Sequence, residues 1–284
     1  MRLGRRALLL ATMGLWGCQP EGWVAEWGEG ALAMLVTEHH VYFTSGVDHS
    51  GLLRIARSGD EDEPTVFHDR MRHAVALADG GDAVYVATKD GVERVPRVGA
   101  GASRLVEEPE GVVAICADAA GVHWLTSDGV LGGIEAGERL APRRPGRRAH
   151  ALAMDATSLH VATADGLVRV GRSGGAAVPQ TRGPLRATQV VVLDEALVVA
   201  HAGGLSRVSA TGELDLVAEA KGAVGAAAGA GDGVVWAEGD RLWYWDRTAI
   251  RQIFDSVRVL ALAARGRELW WIDGASRSLR RHML

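Results

Sequence analysis

One apolar motif recurs seven times along this chain, at intervals of about 37 residues. The motif is a pair of short apolar runs separated by a turn of Gly or acidic residues. The second runs are Val41–Phe43, Val84–Val86, Val122–Trp124, Leu159–Val161, Leu197–Val199, Val234–Trp236 and Leu269–Trp271. A fixed period of about 20 to 50 residues is typical of repeat architectures. The sequence therefore predicts a single array of similar units.

The composition of each unit indicates β-strands. Val, Leu, Ala, Trp and Thr fill the short runs, and turns such as Asp90-Gly91 and Asp165-Gly166 stand between them. A two-residue hairpin needs positive φ, which Gly and Asp tolerate best. Four short strands in roughly 40 residues, repeated seven times, predict an all-β, seven-bladed β-propeller. A pair of β-sandwiches also fits the composition, but it does not explain the regular period.

The first run of each unit is expected to be the innermost strand, because its small residues suit the narrow part of a wedge near the axis. These runs are Ala74–Ala78, Val112–Ala117, Ala151–Met154, Val190–Leu193, Ala223–Ala228 and Val259–Ala263.

Closure of the ring requires a complete last blade, because an open ring exposes sheet edges. The seventh unit lacks a fourth run, and apolar and polar residues alternate just before the first unit. We therefore expect residues 22–28 to close the last blade of the propeller domain, residues 31–284. An unpaired linker is the alternative for this segment.

Two units carry a family resemblance. The seventh unit reads Leu269–Asp273 followed by Leu279–Arg281, and the first unit contains Val41–Ser45. These runs resemble the YWTD-type propeller repeat and its version in bacterial propeller lipoproteins. The resemblance covers residues 31–284 and implies the propeller fold, although Leu197–His201 keeps neither the aromatic pair nor the Asp. Propellers include binding scaffolds, lactonases and lyases, so the resemblance does not imply one function.

The first residues indicate export. Residues 1–17 combine three early arginines with the apolar stretch Ala7–Trp16, which is shorter than the roughly 20 residues that span a bilayer. The stretch ends in Leu15–Cys18, which resembles a bacterial lipobox. That resemblance implies cleavage before Cys18 and lipid attachment to its sulfur. An ordinary cleaved signal with an incidental Cys18 is the alternative.

A lipidated Cys18 would tether the folded domain to a membrane through residues 18–30, because two or more acyl chains anchor stably. Gln19 follows the Cys instead of Asp. By resemblance to enterobacterial sorting, this favours the outer membrane facing the periplasm. We therefore expect an exported protein that is lipid-anchored in the bacterial cell envelope.

The charge and the cysteine count argue against a general nucleic-acid binder and against a disulfide-bonded domain. A net charge of -4, with Lys89 and Lys221 as the only lysines, argues against a general nucleic-acid binder. Once Cys18 carries lipid, Cys116 is the one remaining thiol, so no intramolecular disulfide is expected. We expect the single ring to be a monomer.

Catalytic and metal-binding motifs are missing from the sequence, and we expect no metal or cofactor. Polar residues nevertheless interrupt the inner runs of the fourth and fifth units, five positions before Asp155 and Asp194, where other units have Ala or Val. Two polar groups in register on adjacent blades would meet at one mouth of the channel. Two further polar residues lie one position out of this register. The candidate ligand-binding residues are His150, Gln189, His73 and Arg258.

These observations leave two functional hypotheses. The first is a membrane-tethered envelope lipoprotein that acts as a binding scaffold for an unknown protein or envelope polymer. The second is a lactonase- or lyase-like enzyme with a small-molecule site at the channel mouth. An enzyme needs acidic or His side chains that converge at that mouth, and sequence does not establish such convergence.

Overall fold

The structure, a computed structural model, describes residues 23–25, 33–45, 51–59, 63–69, 71, 73–99, 101–108, 110–181, 183–185, 187–194 and 196–284. These residues form seven antiparallel sheets of four strands each. The prediction of an all-β, seven-bladed propeller is thus confirmed. Across the described ranges, no helix has the length and apolar character needed to cross a membrane.

Short extended segments make up every blade. In chain order the strands are β1 (Trp23–Ala25), β2 (Met34–Val36), β3 (His40–Ser45), β4 (Gly51–Ala56), β5 (Thr65–His68), β6 (Ala74–Asp79), β7 (Ala83–Thr88), β8 (Gly91–Pro96), β9 (Ser103–Glu107), β10 (Val112–Ala117), β11 (Gly121–Thr126), β12 (Leu131–Glu135), β13 (Glu138–Arg139), β14 (Ala151–Met154), β15 (Ser158–Thr163), β16 (Gly166–Gly171), β17 (Val178–Pro179), β18 (Ala187–Leu193), β19 (Ala196–His201), β20 (Gly204–Val208), β21 (Leu214–Glu219), β22 (Val224–Ala230), β23 (Gly233–Glu238), β24 (Arg241–Trp245), β25 (Ile250–Phe254), β26 (Val259–Arg265), β27 (Glu268–Asp273) and β28 (Ser278–Met283).

The blades form a closed ring. Blades 1 to 6 each contain four consecutive strands, from β2 in blade 1 to β25 in blade 6, and blade 7 contains β26, β27 and β28 with β1. The first strand of each blade contacts the first strand of the next blade, and β26 contacts β2. The first strands therefore line the axis, as the small residues in these runs predicted.

The inner strands match the predicted runs, with small shifts at their ends. β10 and β14 have the predicted bounds, whereas β18 begins at Ala187 instead of Val190. The pairing of β18 with β19 shifts register between Ala187 and Gln189, so an irregularity near the strand start extends the strand beyond its uniformly apolar part.

An apolar cluster joins blade 7 to blade 1. It includes Met34 and Phe43 from blade 1 together with Trp270, Ile272 and Leu279 from blade 7. Phe43, Trp270, Ile272 and Leu279 are fully buried. Packing of this kind stabilises the two blades against separation at the seam of the ring.

The amino-terminal strand lies at the outer edge of blade 7. β1 pairs antiparallel with β28, with Trp23 opposite Arg280 and Ala25 opposite Leu279. The strand covers three residues of the expected segment 22–28. That this strand fastens the ring stays a prediction. The export signal, residues 1–17, and the lipidation residue Cys18 lie outside the described residues.

Candidate functional site

The four candidate residues from the sequence lie on one face of the ring. His73, His150 and Arg258 directly precede the first strands of blades 2, 4 and 7, and Gln189 lies near the start of the first strand of blade 5. Because all first strands run in the same direction along the channel, their starts share one face. We call it the start face, and we call the opposite face, where the first strands end, the turn face.

His150 and Gln189 join neighbouring blades. The imidazole of His150 hydrogen-bonds through Nδ1 to the carbonyl of Arg148 at 2.7 Å and through Nε2 to the carbonyl of Ala187 in blade 5. The Gln189 side-chain oxygen accepts a hydrogen bond from the backbone N–H of Ala227 in blade 6 at 2.5 Å. Both side chains therefore satisfy backbone groups between inner strands.

The expected register between these two residues is wrong. Ala151 pairs with Ala162, and Gln189 pairs with Ala200, which is the equivalent residue of the next blade. Ala151, and not His150, is consequently the counterpart of Gln189. Spacing from the following Asp gives the wrong register because the two Asp residues are not equivalent. Asp155 directly follows the partner of Leu159, whereas Asp194 lies two places after the partner of Leu197, the equivalent residue of blade 5.

His73 and Arg258 do not join the other two residues. His73 has a positive φ of 51° at the entry to β6, and the exposed Arg258 donates its backbone N–H to Asp273. Among the described residues, no hydrogen bond or ion pair joins any two of the four candidates. Their role as a ligand-binding group stays a prediction.

The turn face carries an acidic residue at the end of the first strand in four consecutive blades. Three of these carboxylates cap the following turn: Asp79 accepts from the N–H of Gly81, Asp118 from Ala120 and Asp155 from Thr157, at 2.8, 2.9 and 2.8 Å. Such Asx turns stabilise tight connections between strands. The fourth acidic residue is Asp194, which is exposed.

A second recurrent position lies just after the third strand. In each blade, the second residue of the second strand pairs with a residue of the third strand, and we define the post-strand position as the residue two places after that partner. In blade 4, for example, Leu159 pairs with Val170, so the post-strand position is Arg172. In blades 1 to 7 it is occupied by Arg57, Arg97, Ala136, Arg172, Ala210, Arg247 and Leu284.

Between blades 3 and 4, the post-strand arginine fills the groove. Arg172 is almost fully buried, reaches back to blade 3 and donates two hydrogen bonds to the Asp118 carboxylate at 2.5 and 2.7 Å. It donates a third to Glu135 at 3.2 Å. The hydrogen bonds from Arg172 are the main reason that the pKa of Asp118 is lowered to about 2.

His123 completes this buried network. Its Nε2 lies 2.9 Å from the Glu135 carboxylate, and its ring is fully buried. Burial lowers the pKa of His123 because it penalises the charged imidazolium, although Glu135 acts in the opposite direction. On the neighbouring inner strand, Cys116 is a free thiol whose pKa is raised by burial.

The boundary between blades 7 and 1 has a similar ion pair, but its acidic residue is the first residue of a second strand and does not follow a first strand. Arg57 occupies the post-strand position of blade 1, and its Nε forms an ion pair with the buried carboxylate of Glu268 in blade 7. Arg281 of blade 7 pairs with the same carboxylate. A post-strand arginine thus binds an acidic residue of the preceding blade at two of the seven boundaries.

The boundary between blades 4 and 5 is open. Ala210 occupies the post-strand position of blade 5, and a cleft of about 680 Å³ lies where an arginine would reach toward Asp155. The walls include apolar side chains from both blades. The polar side chains that line the cleft are those of Asp155, His160, Arg169, Gln180, Thr181, Asp194, Ser209 and Thr211.

His160 adopts a different partner from its counterpart His123. Its Nε2 lies 2.8 Å from the Asp155 carboxylate, and its Nδ1 lies 2.7 Å from the side-chain oxygen of Gln180. The position equivalent to Glu135 is Gly171 in this blade, so no glutamate is present to bind the imidazole. With both nitrogens occupied, His160 orders the wall of the cleft.

Hydrogen bonding holds Asp155 in its charged form. Burial acts to raise the pKa of Asp155, but hydrogen bonds from Thr157, His160 and Ser158 outweigh it and lower the pKa to about 2. The cleft therefore presents an anionic carboxylate at neutral pH. Within the described ranges, no three His, Cys, Asp or Glu side chains converge closely enough to hold one metal ion.

These features define the class: a seven-bladed β-propeller with an open cleft between blades 4 and 5 on its turn face. No protein-family model matches the chain, and no curated protein matches it. The fold is similar to that of virginiamycin B lyase from Staphylococcus aureus, with a TM-score of 0.72, 14% identity and coverage of 90% of this chain and 95% of that chain.

Two further solved structures are similar. YCF48 from Cyanidioschyzon merolae gives a TM-score of 0.68 and 16% identity, over 93% of this chain and 98% of that chain. PorZ, an essential bacterial surface component of the type-IX secretion system of Porphyromonas gingivalis, gives 0.69 and 11%, over 92% of this chain but only 38% of that chain. At these identities the likeness shows the fold alone, and the YWTD-like resemblance stays a prediction.

Proposed function

We propose that this protein is an exported binding scaffold, tethered to the bacterial cell envelope through Cys18, that holds a partner in the cleft between blades 4 and 5. The observation that carries the proposal is the open groove at this boundary, at a position where Arg57 and Arg172 fill equivalent grooves. A rigid ring with an open cleft between two blades suits recognition of an external group.

The start face supports a scaffold as well. His150 and Gln189 each hydrogen-bond a backbone group of the next blade, so they contribute to the rigidity of the ring. The structural similarity to a bacterial surface component of a secretion system is compatible with an envelope location. An envelope-facing ring would present the cleft to protein partners or polymers outside the cytoplasm.

The tether is tested by metabolic labelling with radioactive palmitate in a bacterium that expresses the full chain. Cys18 is the lipidation residue, so the wild-type protein should incorporate label and fractionate with membranes. The Cys18→Ser variant should lose the label and appear in the soluble exported fraction. Labelling that survives in Cys18→Ser would disprove the lipid anchor.

The scaffold is tested by photo-crosslinking in cells from a side chain in the cleft wall. Val178 lines the cleft and is 49% exposed, so a photoreactive residue there should form a specific adduct with the partner. Val98, in blade 2, is 90% exposed and serves as the matched control. The proposal fails if Val178 gives no adduct, or if Val98 gives the same adduct at equal yield.

A further inference from the structure

We infer that the cleft between blades 4 and 5 is a receptor for an arginine side chain of a protein partner. The inference rests on the proposed function, because it names the group that the scaffold recognises. The chain uses its own Arg172 to fill the equivalent groove between blades 3 and 4, and Arg57 pairs with a carboxylate of the preceding blade at the boundary between blades 7 and 1.

The boundary between blades 3 and 4 shows how such a groove receives a guanidinium. Two nitrogens of Arg172 donate to the two oxygens of Asp118, and the side chain is 8% exposed. Bidentate pairing of this kind is stronger and more specific than a single hydrogen bond. Because Asp118 and Asp155 occupy the same place in consecutive blades, the next groove presents a carboxylate at the equivalent point.

Asp155 retains capacity to accept a guanidinium. Its Oδ1 is used by the turn that follows β14, and its Oδ2 accepts from His160. A carboxylate offers about four lone-pair sites, so Oδ2 has room for a second donor. Asp194, which is exposed and lines the same cleft, provides a second negative charge.

The walls of the cleft suit the aliphatic part of an arginine. Val192 and Leu197 of blade 5 and Pro179 of blade 4 line it. The methylene stem of an arginine packs on apolar surface while its charged end stays hydrogen-bonded. The single methyl group of Ala210 leaves the space that the side chain of Arg172 occupies at the preceding boundary.

Arg169 distinguishes recognition of a guanidinium in the cleft from recognition of an anion. It is exposed and lines the cleft, where its charge would repel a bound guanidinium and attract an anion. Removal of Arg169 should therefore leave the affinity for a guanidinium unchanged or increase it. Recognition of an anionic group would instead depend on Arg169 and would be weakened by its removal.

The test is a titration of the full mature chain in detergent micelles with N-acetyl-L-arginine amide, followed by saturation-transfer NMR. The neutral isostere N-acetyl-L-citrulline amide and the corresponding lysine amide are the control probes. We expect the arginine probe to bind at least about 10-fold more tightly than the citrulline probe, since only the former carries the charged fork. Equal binding of the two would overturn the inference.

Matched variants locate the binding. Ala210→Arg places an internal arginine in the groove and should abolish binding, whereas Ala136→Arg, the same change at the post-strand position of blade 3, should leave binding intact. Asp194→Asn should weaken binding about 2- to 5-fold, and because Asp194 is exposed this variant keeps the fold. Binding that survives Ala210→Arg, or that disappears in Arg169→Ala, would contradict the inference.

The outcome for the arginine probe is distinguishable from that for the scaffold. A specific adduct from Val178 without selective binding of the arginine probe would reject the arginine receptor and leave the scaffold standing. Selective binding that is lost in Ala210→Arg, together with an adduct from Val178, would support both.

Discussion

Replacement of Trp270 by alanine is expected to lower the free energy of unfolding by about 3–5 kcal/mol, the usual cost of truncating a buried Trp. Trp270 is 0% exposed and packs in the cluster that joins blades 7 and 1. Among the described residues its indole N–H has no hydrogen-bond partner, so the loss is one of packing. The guanidinium of Arg281 also lies 5.5 Å from the ring centroid and would lose that contact.

Urea denaturation followed by circular dichroism measures this effect. The control is Leu216→Ala on blade 5, because Leu216 is 60% exposed and its truncation should change stability by no more than about 0.5 kcal/mol. A decrease of less than about 1 kcal/mol in the free energy of unfolding of Trp270→Ala would mean that packing between blades 7 and 1 does not stabilise the ring.

The second large effect is expected for Arg172→Met, which keeps the aliphatic stem but removes the guanidinium. This change leaves Asp118 and Glu135 without their shared cation. Breaking a buried ion pair costs about 3–5 kcal/mol, but the Asp118 side chain is 42% exposed, so solvent screening reduces the expected loss to roughly 2–3 kcal/mol. Arg207→Met is the matched control, because Arg207 pairs with Asp215 on the surface and its loss should cost less than about 1 kcal/mol.

The stability difference between the wild type and Arg172→Met should also change with pH, in a direction that the pKa of Asp118 determines. The pKa of Asp118 is lowered from 3.8 to about 2, chiefly by the hydrogen bonds from Arg172. A carboxyl whose pKa is lower in the folded state contributes stability above its unfolded pKa and loses it as the pH falls toward the folded value. The stability difference between wild type and Arg172→Met should therefore shrink between pH 5 and pH 2.

Urea midpoints measured at both ends of that range check the expectation. Because the pKa of Asp155 is also lowered to about 2, the wild-type protein alone loses stability from more than one carboxyl. The difference between the two proteins isolates the Asp118 pair. A difference that stays constant or grows as the pH falls would contradict the assigned role of Arg172.

The architecture could be predicted from the sequence because each blade repeats its apolar pattern. The local composition of a run such as Leu159–Val161 predicts a strand, and the regular interval between such runs then predicts a ring of repeats. The ends of the inner strands are harder to predict from the sequence. Asp194 lies one place further along its hairpin than Asp155, so spacing from the two aspartates does not give the register of His150 and Gln189.

The candidate site was only partly accessible from sequence. Asp155 and Asp194 serve in the sequence only as markers for the spacing of His150 and Gln189, yet both aspartates line the cleft. His150 lies on the other face, because the start and the end of a first strand lie on opposite faces of the ring. The signal for the cleft is the small Ala210 at the post-strand position, directly after a blade in which Arg172 occupies this position. It becomes visible only when the third strands are aligned by their pairing.

The most direct test of the central claim is photo-crosslinking in cells with variants of the cleft. Photo-crosslinking from Val178 is compared in the wild type, in Ala210→Arg and in Ala136→Arg, with equal amounts of membrane-bound protein. A ring that recognises its partner through the unfilled groove should give the adduct in the wild type and in Ala136→Arg and lose it in Ala210→Arg. An adduct of equal yield in Ala210→Arg would show that the groove between blades 4 and 5 is not the binding site.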